Sequence, residues 1–181
     1  MQYCLLSSRR KKQIRPSFFV GLEKFYLENL SSYKAIYGGA EIRSQEQESI
    51  LIMDDARVDT IFEDKISKGF PIIVAEVDNT IAGFGYYSEF RFRAAYQFTV
   101  EHSVYADNRY TGKGVGKVLL TELIRLAKAQ KLHTMIGVID SENTTSIAFH
   151  KKFGFEEAGF IKESGYKFDR WLHSVFMQKM L

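Results

Sequence analysis

The chain has 181 residues, 45% hydrophobic and 26% charged, with 13 Gly and only 2 Pro. This suits one folded domain with a core that needs no covalent staples, and it excludes a long disordered or low-complexity segment. The net charge of +3 is too small to argue for a nucleic-acid partner, though it is compatible with an anionic ligand.

Near the start, the apolar piece Tyr3–Leu6 precedes the basic run Arg9–Lys12. A secretory leader carries its positive charge first, so residues 1–13 are expected to form a solvated, flexible basic arm. Cys4 is the one cysteine, which excludes an intrachain disulfide and suits a reducing cytoplasm. No apolar stretch approaches the roughly 18 residues needed to span a bilayer, so no membrane partner is expected. Ile14-Arg15-Pro16 reads as the end of a short strand. Leu22 to Tyr37 carries scattered apolar positions that suit one or two amphipathic helices, broken at Gly38-Gly39. A further short helix is predicted from Val58 to Ile66, ending near Gly69 and Pro71.

Downstream the pattern sharpens. Ile72–Val77 and Ile81–Tyr87 read as strands joined by turn chemistry at Asp78-Asn79-Thr80. Arg91 to Tyr96 is a loop or strand start, and Phe98–Tyr105 is a strand. The glycine-rich turn Gly112–Gly116 opens a helix to about Lys131, with the stripe Val115, Leu119, Leu123 and Leu126 on one face. Met135–Ile139 is a strand. Asn143 can cap a helix reaching about Lys152, with Gly154 as its stop. Phe155–Ile161 and Trp171–Met180 read as a final strand pair. The order predicts a single domain over 1–181, of mixed α/β class, with helices on both faces of the sheet.

The sequence TGKGVG at 111–116 lies after a strand and before a helix, where free N–H groups and the helix dipole make an anion cradle. Lys113 and Lys117 add positive charge. A Walker loop fails because Gly116-Lys117 is followed by Val118, and a dinucleotide fingerprint fails because position 117 is lysine. A plain strand–helix turn stays open. So does a resemblance to the CoA-pyrophosphate loop of the GNAT acetyltransferases, Gln/Arg-x-x-Gly-x-Gly/Ala. Gly114 and Gly116 match that pattern, and Thr111 departs from it.

The surroundings extend the resemblance. FPIIVAEVDNTIAGFGYY, Arg-x-Arg-x-x-Tyr at Arg91, Arg93 and Tyr96, TVEHSVYA, TGKGVGKVLL, NTTSIAFHKKFGF and GYKFDRW follow in order between Phe70 and Leu181. Together they resemble the phosphinothricin and methionine-sulfone N-acetyltransferases of the GNAT superfamily. The resemblance implies a mixed, mostly antiparallel twisted sheet flanked by helices, with acetyl-CoA as cosubstrate. It implies direct acetyl transfer without a metal to a small-molecule, amino-acid-like amine, by a protein that is a homodimer on family analogy.

The same resemblance assigns roles. Glu101 matches the family's glutamate base; it shares a strand face with Thr99, Ser103 and Tyr105, and partial burial there would raise its pKa into a useful range. The backbone at Val104, Tyr105 and Ala106 would meet the pantetheine arm, and one N–H could polarise the thioester carbonyl. The loop Thr111, Gly112, Lys113, Gly114, Val115, Gly116 and Lys117 would hold the pyrophosphate, and Asn143 would both cap its helix and contact the cofactor. His150 occupies the place of the family's usual tyrosine, as in the phosphinothricin subgroup, where an imidazolium titrating near pH 6.5 could protonate the departing thiolate. Arg91, Arg93 and Tyr96 would clamp the acceptor carboxylate. His102, His133 and His173 look too scattered for a metal site. A non-catalytic acyl-CoA sensor and a peptide or protein N-acetyltransferase are the alternatives. Retention of both Glu101 and His150 argues against the first, and the Arg-x-Arg pair argues against the second.

Overall fold

The structure, a computed structural model, describes residues 14–18, 64–78, 80–167 and 169–181. The basic arm, Cys4, the helices expected over 22–37 and most of the helix expected from Val58 lie outside the described residues. So do Asn79 and Phe168.

Seven strands form one sheet in the order β1-β2-β3-β4-β5-β7-β6. They are β1 (Ile14–Phe18), β2 (Ile72–Val77), β3 (Thr80–Glu89), β4 (Thr99–Ala106), β5 (Thr134–Asp140), β6 (Glu156–Lys167) and β7 (Arg170–Met180). Every pairing is antiparallel except β4 with β5. Strand β1 extends two residues past the expected stop at Pro16. It lies at the sheet margin, where a proline without an N–H can turn its nitrogen away from the ladder. Asp78 turns the β2–β3 hairpin at φ 52, a left-handed conformation that Asp tolerates better than most residues.

Helix α1 (Val115–Ala129) follows the glycine turn, and helix α2 (Thr144–Lys152) follows β5. The buried face of α1 is Val115, Leu119, Leu120, Leu123 and Ala127. Leu126 is only partly buried, so the expected stripe is centred one position off at its far end. Those side chains pack with Ile73, Ala75, Ala82, Val100 and Met135 in one core. A fully buried leucine such as Leu123 contributes on the order of 2 kcal/mol from transfer out of water.

Two glycines let α1 approach the sheet closely. A Cβ on Gly83 would lie 2.5 Å from the Tyr105 carbonyl oxygen and 2.7 Å from Val115 Cγ1; on Gly85 it would lie 3.1 Å from Leu123 Cδ1. Both α1 and α2 cover the sheet face that carries Val100, His102 and Val104. The short helical stretch 64–67 lies on the other face, where the Lys65 ammonium sits 4.4 Å from the centre of the Tyr86 ring. Gly69, at φ 77, ends that stretch, its N–H donating to the Ile66 carbonyl.

The last hairpin is longer than the sequence suggested. Strand β6 continues past Ile161 to Lys167, with an irregularity between Ile161 and Gly165 and a tight turn at Asp169 (φ 56). Among the described residues no helix is long and apolar enough to cross a membrane.

Candidate active site

The site begins where β4 and β5 part. Their parallel pairing runs only from Thr99–Thr134 to Glu101–Ile136. Beyond that point β4 stays paired with β3 to Ala106, and β5 stays paired with β7 to Asp140. The two strands thus diverge while each remains anchored on its outer side. Main-chain groups on the facing edges have no ladder between them and can serve a ligand.

A cleft of about 1140 Å³ fills this split. Its walls are His102 to Ala106 from β4, Gly137 to Ile139 from β5, and Asn143 to Ser146 and Ala148 to His150 from the α2 segment. Its outer end is Tyr110, Thr111, Gly112 and Gly114 to Lys117. The expected contacts Val104, Tyr105, Ala106 and Asn143 therefore meet in one wall system with most of the glycine turn.

The turn is held from behind. The main-chain N–H of Asp107 donates to the Ala82 carbonyl at 2.9 Å, and its carboxylate accepts from the Arg109 N–H at 2.8 Å and from Arg109 Nε at 3.0 Å. The Arg109 hydrogen bond holds the Asp107 carboxyl below its ordinary pKa. This clasp fixes a 3-10 turn at Asn108–Tyr110 and delivers the chain to Gly112 (φ 74) and Gly114 (φ 88), a conformation suited to glycine. A Cβ on Gly112 would meet nothing within 4 Å, so the turn faces open space. The first main-chain bond of α1 is Val118 N–H to the Gly114 carbonyl, which leaves the preceding N–H groups pointing out of the helix start. Lys117 joins the wall, but Lys113 does not. Its ammonium donates to the Arg109 carbonyl at 2.7 Å and lies 4.9 Å from the Tyr110 ring centre.

On the α2 side, the Asn143 side-chain oxygen Oδ1 accepts the Ser146 N–H at 3.0 Å, the expected cap. His150 is buried, and its Nδ1 lies 2.7 Å from the Ser146 carbonyl oxygen. A carbonyl only accepts, so Nδ1 carries the proton and a neutral His150 has a bare Nε2. Burial lowers its pKa, partly opposed by this hydrogen bond. At neutral pH the ring is therefore uncharged and its free nitrogen is an acceptor. Its pKa thus lies below the ordinary imidazole range assumed from sequence.

Glu101 is the last residue of β4 paired with β5, and it stands just outside the cleft wall. Alternation along the strand puts it on the face opposite His102. Burial raises the carboxyl's pKa, and the charges of Arg91 and Lys65 pull it back only in part. Arg91 is exposed and outside the cleft wall, but its charge bears on Glu101. Its guanidinium also lies 4.4 Å from the Phe90 ring centre and donates to the Phe90 carbonyl. Arg93 and Tyr96 are exposed, pack near Phe92 and Phe90 respectively, and belong to no wall of the cleft.

Sequence reasoning missed two groups. Lys65 belongs to a segment with no motif. His102, set aside as one of several scattered histidines, is buried in the cleft wall and stacks on His150 with ring centres 5.1 Å apart. The only available signal was its place beside Glu101 on the strand.

The sequence and the fold both have known relatives. Residues 35–155 match the acetyltransferase (GNAT) family, so the family pattern begins well before Phe70, where the motifs first became readable. The chain is 42% identical over 118 residues to the L-methionine sulfoximine/L-methionine sulfone acetyltransferase of Pseudomonas aeruginosa, covering 65% of this chain and 69% of that protein. Among solved structures, a GNAT superfamily phosphinothricin acetyltransferase from Sinorhizobium meliloti, in complex with acetyl-CoA, superposes with TM-score 0.81 at 33% identity, covering 93% of this chain and 88% of that one. A ribosomal-protein-alanine N-acetyltransferase from Brucella melitensis superposes with TM-score 0.82 at 34% identity, covering 93% and 99%. A family match over more than half of the chain, joined to a shared fold along nearly its whole length, establishes that this protein belongs to the acetyltransferase (GNAT) family.

Proposed function

We propose that the chain transfers an acetyl group from acetyl-CoA to the α-amine of a small amino-acid-like acceptor of the phosphinothricin, methionine sulfone or methionine sulfoximine type. The observation that carries this reading is the split between β4 and β5, closed at its outer end by a glycine turn and a helix start. The residues fit the ligand: Gly112 and Gly114 are left-handed, Gly112 has open space above it, and the helix start with Lys117 suits a pyrophosphate. Acetyl-CoA supplies the acyl group as a thioester.

The chain's own residues would then divide the work. Main-chain groups of Val104 to Ala106 hold the arm of the cosubstrate along the open edge of β4. Glu101, with its pKa raised by burial, takes the proton from the acceptor ammonium, directly or through water. Arg91 attracts the acceptor carboxylate from the same face. His150, neutral with Nε2 bare, accepts a hydrogen bond in the cleft.

A second reading, a protein N-acetyltransferase, is favoured by the likeness to the Brucella melitensis protein. Release of free thiol from acetyl-CoA, measured with a panel of amino-acid analogues and a panel of peptides, separates the two. Turnover with analogues such as methionine sulfone supports the first reading. Turnover confined to peptides overturns it.

A further inference from the structure

His102 is the one described residue with every side-chain polar atom both buried and without a partner that is also part of the cleft wall. Neither Nδ1 nor Nε2 finds a hydrogen-bond partner, although the residue is only 6% exposed. A buried polar group left unsatisfied is unfavourable, so such a group at a cleft wall points to something that enters the cleft. Burial, reinforced by the neighbouring His150, lowers its pKa to about 3, so the ring is neutral and carries a single N–H.

The position of that ring is specific. A Cβ added to Gly137 would lie 3.0 Å from His102 Nε2 and 3.2 Å from His150 Nε2. Both nitrogens therefore face the same point of the β5 main chain, where only a residue without a side chain leaves them room. His150 presents a lone pair there, because its proton is on Nδ1. Two lone pairs facing one spot repel, so the tautomer of His102 with its proton on Nε2 is favoured. The pair then offers one donor and one acceptor.

The group that satisfies both must bear a lone pair and a proton. In the proposed acyl-CoA cleft, the glycine turn anchors the phosphate end beyond the C-terminal end of β4. The two imidazoles lie at the opposite end, one residue past the last β4–β5 pair. The far end of CoA is its thiol, whose sulfur lone pairs can accept a hydrogen bond and whose single S–H can donate one.

We propose that His102 is a cosubstrate-contacting residue, whose Nε2–H donates a hydrogen bond to the CoA sulfur while His150 Nε2 accepts from the same group. The inference rests on the acetyl-CoA reading of the cleft. In the forward reaction the new N–C bond forms, the C–S bond breaks with its electron pair on sulfur, and the proton lost by the acceptor amine ends on that sulfur. His102 keeps its proton throughout, so it stabilises the departing sulfur without becoming charged.

The test compares CoA with desulfo-CoA, in which hydrogen replaces the thiol, by titration calorimetry on the full chain. Wild type should bind CoA about 3- to 10-fold more tightly, the worth of one or two modest hydrogen bonds. His102→Phe keeps the ring stack but removes both nitrogens, and should bring the ratio close to one while leaving desulfo-CoA affinity nearly intact. His102→Gln, which restores an N–H donor, should recover part of the ratio. In wild type with 15N-labelled histidine, NMR should show His102 neutral with its proton on Nε2, and that resonance should shift on adding CoA. An equal ratio in wild type and folded His102→Phe overturns the sulfur contact, as does a proton found on Nδ1. Equal wild-type affinity for both ligands overturns it too, while the cleft reading survives. Failure of wild type to bind either ligand overturns the cleft reading and this inference together. Should His102→Phe fail to fold, the wild-type ratio and spectrum still decide.

Discussion

Gly83→Ala tests whether the close packing of α1 on the sheet shapes the cleft. The added methyl carbon would stand 2.5 Å from the Tyr105 carbonyl oxygen and 2.7 Å from Val115 Cγ1. The first obstacle is main chain in the paired strand β4, which cannot rotate aside, so strand and helix must separate. Overpacking of this kind costs about 1–3 kcal/mol, and a main-chain obstacle argues for the upper end. At about 2–4 °C per kcal/mol for a chain of this size, the melting temperature should fall by about 6–12 °C. Tyr105 and Val115 are also cleft walls, so the stabilisation produced by added acetyl-CoA should shrink as well. Gly116→Ala is the control. Its Cβ would meet Phe149 Cζ at 3.5 Å, an ordinary contact, and alanine favours the helix by about 1 kcal/mol. Differential scanning fluorimetry with and without acetyl-CoA reads both effects. A Gly83→Ala protein melting within about 2 °C of wild type would refute the packing argument.

Glu101→Gln should lower kcat by about 10²–10⁴-fold at neutral pH, with a smaller loss at high pH where the acceptor amine is already deprotonated. Because burial raises the Glu101 pKa, the folded state binds more protons than the unfolded one above about pH 4.5, and wild-type stability falls as pH rises through that window. Glu101→Gln should therefore melt higher than wild type at pH 7 and not at pH 4. His102 behaves in the opposite sense: with its pKa lowered to about 3, its contribution is complete above about 6.5 and is lost as pH falls toward 3, so His102→Phe should flatten the acid limb of a stability–pH curve. Asn143→Ala removes the α2 cap and should cost about 1 kcal/mol in urea unfolding. Gly114→Glu, which places a charged side chain at a left-handed position of the turn, should abolish the thermal shift caused by acetyl-CoA; an undiminished shift in the folded variant rules out the turn as the pyrophosphate site.

Local chemistry made much of this molecule legible before any coordinates. Glycines at 112, 114 and 154, the Asn143 cap and the apolar period of α1 each act within a few residues, so the turn, both helices and their order were readable. The continuation of strand β6 past Ile161 escaped because most of its residues there are exposed and polar, as suits the sheet's outer strand, and no alternation marks them. The Arg91–Tyr96 segment shows the limit of adjacency in sequence: all three residues are exposed and outside the cleft wall, and of the three only Arg91 bears on the charge of Glu101. His102 was opaque for a different reason. Its meaning depends on α2 folding back to stack His150 upon it and on Gly137 lacking a side chain between them, and no window along the chain contains all three.

The separation of β4 from β5 also bears on traffic. Successive residues of a strand point to opposite faces, so Glu101 looks out on one side of the sheet and His102 on the other. On the proposed reading, a slit open through the sheet would give the two reactants different entrances, so that neither would obstruct the other. Under that reading the enzyme would have no need to release one product before admitting the second reactant, and an excess of either would leave the other's doorway clear.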